Sequence, residues 1–241
     1  MYQEINPSKG IDRVIDSFWT FSNSKSSEKF KVLPDTCVDL IFDLNQNKGF
    51  LSGIMTNYQI RELATKSDLI GVRFKTEKFG FLSKIPLCET KNLRAELNEI
   101  FPMKNLKPLN QLTDFEKITD KITFLENFIG ISFKRNFQSQ DKMVLSVAQR
   151  IRLLKGIVNI GDLAKSHHIS LRQLERRFKN YIGLTLKEFS NIVRFNNAKK
   201  SIATQTSTSL LAIAFDMGFF DNSHMTYEFK RISGENPSCF R

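Results

Sequence analysis

IGDLAKSHHISLRQLERRFKNYIGLTLKEF (160–189) and LLAIAFDMGFFDNSHMTYEFKRISGENPSCF (210–240) resemble each other when slid past one another by about fifty residues. Leu163-Ala164 match Ile213-Ala214 at an offset of 50. The second stretch then carries one extra residue in its turn. Beyond it, Ser170, Phe178-Lys179, Gly183 and Phe189 match Asp221, Phe229-Lys230, Gly234 and Phe240 at an offset of 51. Two copies are too few for a solenoid and indicate one supersecondary unit used twice.

Each stretch reads as helix, turn, helix. In the first, Ile160, Leu163 and Ala164 supply apolar positions at helical spacing, with Ile169 across the turn. Ala164 is small enough for two helix axes to cross closely. Ser170 followed by Gln173 is a capping-box pattern, so a new helix is expected at Leu171. Its inward stripe is Leu174, Phe178 and either Tyr181 or Ile182, and Gly183 ends it in a left-handed conformation. In the second, Ile213, Ala214 and Met217 form the first helix and Gly218 the turn. Asp221 caps a helix that buries Met225 and Phe229 and stops at Gly234, with Pro237 beyond. Between the two, LKEFSNIVRFNNAKKSIA (186–203) reads as one amphipathic helix. Eighteen residues at about 1.5 Å each make a spacer of roughly 27 Å, on the scale of one DNA turn, about 34 Å.

The outward positions of the two second helices carry the chemistry. They are Leu171, Arg172, Glu175, Arg176 and Lys179 on one, and Asn222, Ser223, Thr226, Tyr227 and Lys230 on the other. Arg binds guanine O6/N7 in a bidentate fork and Asn binds adenine N6/N7, each worth about 1–3 kcal/mol of discrimination. The opposing reading is that Arg172 and Arg176 make exposed pairs with Glu175. Charge agrees with the first reading. The chain of 241 residues has a net charge of +11, and residues 143–241 hold +8 of it (15 basic, 7 acidic) against +3 for residues 1–142. Such a balance calls for a polyanion, a nucleic acid or an anionic membrane, and does not choose between them.

The segments DLA (162–164), SLRQLERRFK (170–179), Gly183, Arg194 with Ala198 four later, and AIAFDMGFFDNSHMTYEFKRISGENPSCFR (212–241) resemble the double helix-turn-helix DNA-binding domain of AraC/XylS-type bacterial transcription regulators. The resemblance covers about 145–241. It implies base-edge contacts from Arg172, Glu175, Arg176, Asn222, Ser223, Thr226 and Tyr227, with phosphate contacts from Ser170, Lys179, Lys187 and Lys230. The family often has a basic residue where Tyr227 stands, so the second unit is expected to read bases weakly or through van der Waals contact. VLPDTCVDLIFDL (32–44) and IGVRFKTEKFG (70–80) are similar to strand segments of the sensory domains attached to such regulators, which implies effector sensing or dimerisation.

Read from their own residues, 12–22, 30–44 and 68–83 are rich in Val, Ile and Phe and suggest strands, with a turn from Asn45 to Gly49. Helical patterns follow at about 91–101, 115–128 and 142–155, and the boundary falls near FKRNFQSQ (133–140). The expected architecture is thus an α+β domain over 1–140, strands followed by helices, and an all-α domain with two helix-turn-helix units over 141–241.

Several chemistries are set aside. Cys37, Cys88 and Cys239 are an odd count without CxxC spacing, which fits a reducing cytoplasm and no metal site. Cys37, between Asp35 and Asp39, reads as a strand cysteine, because acidic neighbours disfavour a reactive thiolate. His167, His168 and His224 lack convergent ligands. Some proteins with this DNA-binding domain carry a methyl-accepting cysteine in a four-cysteine zinc site; only Cys37 and Cys88 lie outside the C-terminal domain, too few to build one. No GxxxxGK[ST] or GxSxG pattern is present, and Asp35 with Asp39 is too common a pairing to argue for acid–base catalysis. No apolar run of about 18 residues exists, and the polar start MYQEINPSKGIDRV is no secretory signal.

The sequence therefore predicts a cytoplasmic, non-enzymatic, sequence-specific regulator of transcription with double-stranded DNA as partner and no cofactor, metal or membrane. RNA polymerase, a small-molecule effector and a second copy of the chain are further candidate partners, and the effector-binding residues are unknown. The alternatives are an enzyme-fused DNA-binding protein and a nonspecific architectural one.

Overall fold

The computed structural model describes residues 1–23, 28–63, 66–79, 86–100, 107–136 and 141–241. Two compact units emerge. One comprises 1–30, 37–54 and 61–140; the other comprises 31–36, 55–60 and 141–241.

The first unit is built on a six-stranded antiparallel sheet in the order β1-β2-β7-β4-β5-β8. Its strands are β1 (Tyr2–Ile5), β2 (Ile15–Ser22), β4 (Cys37–Asp43), β5 (Lys48–Ser52), β7 (Asp68–Lys75) and β8 (Arg94–Glu96). β3 (Glu28–Val32) and β6 (Gln59–Leu63) form a separate ribbon. Ile15, Phe18, Val38, Leu51, Ile70, Val72 and Phe74 are buried and form much of the core. Among the described residues, this unit also has the helices α1 (Thr76–Phe79), α2 (Leu97–Ile100) and α3 (Ile118–Asn136). Strands followed by helices is the class the sequence predicts.

Individual elements differ from expectation for physical reasons. The stretch 30–44 is two strands, because Pro34 offers no N–H to a ladder and Thr36 has a positive φ of 63°. The stretch 91–101 is no single helix. Arg94–Glu96 pairs with Phe50–Ser52, so sheet pairing overrides a locally helical pattern, and only Leu97–Ile100 is helical. The expected strand 68–83 ends at Lys75 and gives way to α1. Residues 80–83, 101 and 137–140, which those expectations also touched, lie outside the described residues. Asp39 accepts bonds from Trp19 Nε1 and Arg73 Nε, each at 3.2 Å, so it serves the fold of the sheet. Cys37 is buried at the start of β4.

The second unit is helical: α4 (Lys142–Leu153), α5 (Ile160–Ser166), α6 (Leu171–Ile182), α7 (Leu186–Thr204), α8 (Leu210–Asp216) and α9 (Asn222–Ser233). Every one has a side-chain N-cap, respectively Asp141, Asn159, Ser170, Thr185, Ser209 and Asp221. Each such cap is worth about 1 kcal/mol, so helices as short as seven residues have defined starts. α4 buries Val144, Val147, Ala148 and Ile151, one helical stripe. After it the chain turns at Gly156 (φ +81°), where an added Cβ would lie 2.3 Å from the Ser190 carbonyl oxygen on α7. Only glycine permits that approach.

Two segments from the N-terminal half belong to this unit. Leu33 packs against the core around α9, and Asn196 Nδ2 donates to the Pro34 carbonyl at 2.8 Å. Tyr58 N donates to the Ile232 carbonyl at 2.7 Å, while Lys31 pairs with Glu235 and lies 4.9 Å from the Tyr58 ring centroid.

Candidate DNA interface

The two helix-turn-helix units share backbone detail. Ile169 N donates to the Ala164 carbonyl (3.2 Å) and Phe219 N to the Ala214 carbonyl (2.9 Å), the same bond at an offset of 50. The residue before each has a positive φ, 53° at His168 and 69° at Gly218. The N-caps Ser170 and Asp221 stand at an offset of 51. Phe220 is therefore the extra residue of the second turn.

α6 has the capping box the sequence predicts: Gln173 N donates to Ser170 Oγ at 3.3 Å and Ser170 N to Gln173 Oε1 at 3.1 Å. The Ser170 hydroxyl also donates to Gln173 Oε1, so this candidate phosphate ligand holds the start of the helix. Leu174, Phe178 and Ile182 are buried; of the two candidates for the last place, Ile182 takes it. The opposite side exposes Arg172, Glu175, Arg176 and Lys179, positions i, i+3, i+4 and i+7 of one stripe. Among the described residues none of these four makes a salt bridge, so Arg172 and Arg176 are not paired with Glu175. Arg177 is different. It binds Asp141 through Nε (3.1 Å) and Nη2 (2.8 Å) and fastens α6 to the start of α4.

α9 buries Met225, Glu228, Phe229 and Ile232 and exposes Asn222, Ser223, Tyr227 and Lys230; Thr226 is half-buried. Its single early carboxylate, Asp221, accepts from His224 N at 2.6 Å as a cap. His224 serves the turn as well: its Nδ1 accepts from Phe220 N at 3.2 Å and its ring stands edge-on to Phe219, 5.5 Å between centroids. Arg231 is bound to Glu228 at 2.6 Å, which leaves Lys230 as the outward cation of the last turns. Lys187 is exposed in the first turn of α7.

Arg194 of α7 locks the second turn. Its guanidinium carbon lies 4.5 Å from the Phe219 ring centroid, and its nitrogens donate to the Gly218 carbonyl (3.2 Å) and Asn191 Oδ1 (3.1 Å). Burial pushes its pKa down, with the Glu228 carboxylate opposing that shift. Part of the +8 is thus structural, in Arg177, Arg194 and Arg231. Exposed, unpaired cations are present on the outward stripes of α6 and α9 and at Lys187, and also elsewhere in the unit at Lys142, Arg150, Lys155 and Lys200. Sequence reasoning did not find Asp141–Arg177, whose partners are 36 residues apart. Nor did it single out Phe220, whose side chain is left in solvent.

In the first unit, a cavity of about 180 Å³ is lined in part by Phe42, Asp43, Lys48, Glu96, Leu97 and Leu112. That is below the roughly 300–1,000 Å³ of small-molecule sites. Among the described residues no group of three His, Cys, Asp or Glu is placed to hold a metal ion, and no helix is long and apolar enough to cross a membrane.

Sequence comparison agrees with the helix-turn-helix geometry. Residues 163–241 match the family model described as a helix-turn-helix domain, and residues 3–96 match one described as a domain of unknown function (DUF6597). The HTH-type transcriptional activator RhaS of Pectobacterium carotovorum is 31% identical over 84 residues, 35% of this chain and 30% of that protein. The HTH-type transcriptional regulator MtrA of Neisseria gonorrhoeae is 31% identical over 83 residues, 34% of this chain and 27% of that one. The matched part thus spans under a third of the length of these relatives. An apo ToxT variant from Vibrio cholerae is similar with a TM-score of 0.46 at 16% identity, covering 92% of this chain and 96% of that one.

Proposed function

We propose that this chain, whose residues 163–241 form an AraC-type helix-turn-helix domain, is a sequence-specific, double-stranded-DNA-binding regulator of transcription. The single observation that carries the reading is the pair of capped helices with outward, unpaired polar stripes: Arg172, Glu175, Arg176 and Lys179 on α6, and Asn222, Ser223, Tyr227 and Lys230 on α9. In this reading Arg172, Glu175, Arg176, Asn222, Ser223, Thr226 and Tyr227 meet base edges, while Ser170, Lys179, Lys187 and Lys230 lie toward phosphates. α7 has 19 residues, about 28 Å at 1.5 Å per residue, and holds the two reading helices for successive major grooves on one face of the duplex.

The protein acts in the cytoplasm without catalysis of its own. Residues 1–140 regulate it, by binding a small molecule or a second copy of the chain, and the DNA-bound form communicates with RNA polymerase. Selection of binding sites from random DNA by the full-length protein tests the reading. The expected product is one motif with two segments about one DNA turn apart, preferred at least about 10³-fold over competitor. Binding without sequence preference would instead make it an architectural protein.

Lys230→Ala is expected to weaken binding to every sequence alike and to reduce the slope of log K against log salt by about one unit. Arg231→Ala, one residue on, removes a cation already bound to Glu228 and should leave that slope near its original value. Fluorescence anisotropy titrations at several salt concentrations check both.

A further inference from the structure

Phe220 has no counterpart in the first helix-turn-helix and no role in the packing of the second. The apolar place in the turn is taken by Phe219, which is 4% exposed between Arg194 and His224, whereas Phe220 is 83% exposed. An apolar residue just before an N-cap ordinarily folds back onto the fourth helical residue. Here that residue, Met225, is fully buried without it. The ring instead stands in solvent beside the first turn of α9, and its backbone is held there by the bond to His224 Nδ1. Within α9, Ser223 and Tyr227 follow one another on one side at the helical repeat, and Tyr227 is itself 65% exposed.

We propose that Phe220 is a specificity-determining residue that reads a thymine, packing its ring on the C5-methyl group in the major-groove segment that α9 enters. The inference rests on the DNA-binding function proposed above and names what the second unit recognises. The outward side chains ahead of Lys230 are Asn222, Ser223, Thr226 and Tyr227, none of them charged, in contrast to Arg172 and Arg176 on α6. A surface without cations at its leading end is poorly matched to guanine O6/N7. The thymine methyl is the apolar group that the major-groove edges of the four base pairs offer, and Phe is a natural partner for it. α6 therefore selects through charge and hydrogen bonds, and α9 through apolar contact with A·T pairs.

The test uses the full-length protein and the best site from selection. Each thymine of the segment assigned to α9 is replaced singly by deoxyuridine, which removes the methyl and keeps the pairing edge. Wild-type affinity should fall about fourfold at one thymine, the value of one methyl group kept from water. Phe220→Ser should bind the thymine site about as weakly as the wild type binds the uracil site, and should be indifferent to the exchange. Phe220→Leu should keep part of the difference. Circular dichroism of both variants should match the wild type, since the ring packs against little of the fold. Equal wild-type affinity for thymine and uracil at every position would overturn the proposal. So would a Phe220→Ser variant that keeps the full difference, or one that binds normally yet fails in transcription, which would assign the ring to a protein partner. A selection that yields no preferred site would instead remove the function on which the inference rests.

Discussion

Phe229→Ala should destabilise the helical unit by about 3–5 kcal/mol, the cost of truncating a fully buried phenylalanine in a core that cannot collapse around the gap. The ring sits 4.8 Å from Phe195 of α7 and 5.7 Å from Phe240 of the C-terminal turn, centroid to centroid, each at a steep angle. The same cluster holds Ile213 and Ala214 of α8 and Met217 just after it, and is joined by Leu33 from the N-terminal half. Removing the ring therefore unseats α9 from both α7 and α8. Urea unfolding followed by circular dichroism should show the midpoint of this unit fall by about 1–5 M, at a slope of about 1–3 kcal/mol/M. Phe229→Leu keeps most of the volume and should lose less than about 1.5 kcal/mol. A midpoint for the alanine variant within a few tenths of a molar of wild type would show that the cluster does not hold α9 in place. DNA protection at the segment read by α9 should weaken in parallel, while protection at the α6 segment persists.

Much of the second unit was legible because its determinants are local. A capping box needs residues three apart, and Ser170 with Gln173 set the start of α6 where expected. Gly183 and Gly234 close α6 and α9 in the left-handed region, as their positions after the buried stripes implied. α7 runs one residue beyond the end read from the sequence. The first unit was harder, since pairing across the sheet decides its elements. Nothing local in 91–101 reveals that Arg94–Glu96 will meet Phe50–Ser52. The attachment of 31–36 and 55–60 to the helical unit was equally invisible: Tyr58 and Ile232 are bonded through backbone atoms, which leave no mark in side-chain pattern. In the candidate site, spacing alone identified the outward stripes. Which cations on them are unpaired required coordinates, because Arg177 and Arg231 look like Arg176 and Lys230 in the sequence.

Arg176→Ala should lower affinity for the selected site about 5- to 150-fold, the 1–3 kcal/mol of one bidentate contact to a base, and relax preference at one or two adjacent positions. The physical reason lies in what the arginine is not doing. It is exposed one helical turn after Arg172, and no carboxylate among the described residues binds either guanidinium. The planar fork is thus available for guanine O6 and N7. Arg176→Lys separates this role from simple attraction to phosphate. Lysine keeps the charge and loses the fork, so the salt slope should stay while the base preference relaxes nearly as far as in alanine. If the selected motif of Arg176→Ala were unchanged, with uniformly weaker binding and a slope flatter by about one unit, Arg176 would be a phosphate contact. Glu175 sharpens the same argument. On the DNA-facing surface proposed above, a carboxylate between two arginines is unfavourable unless a donor on the DNA receives it, and cytosine N4 is the usual partner of a Glu in the major groove. Glu175→Ala should therefore raise affinity for mismatched sites at its position while it lowers affinity for the selected one, a combination that loss of a solvated surface charge would not give.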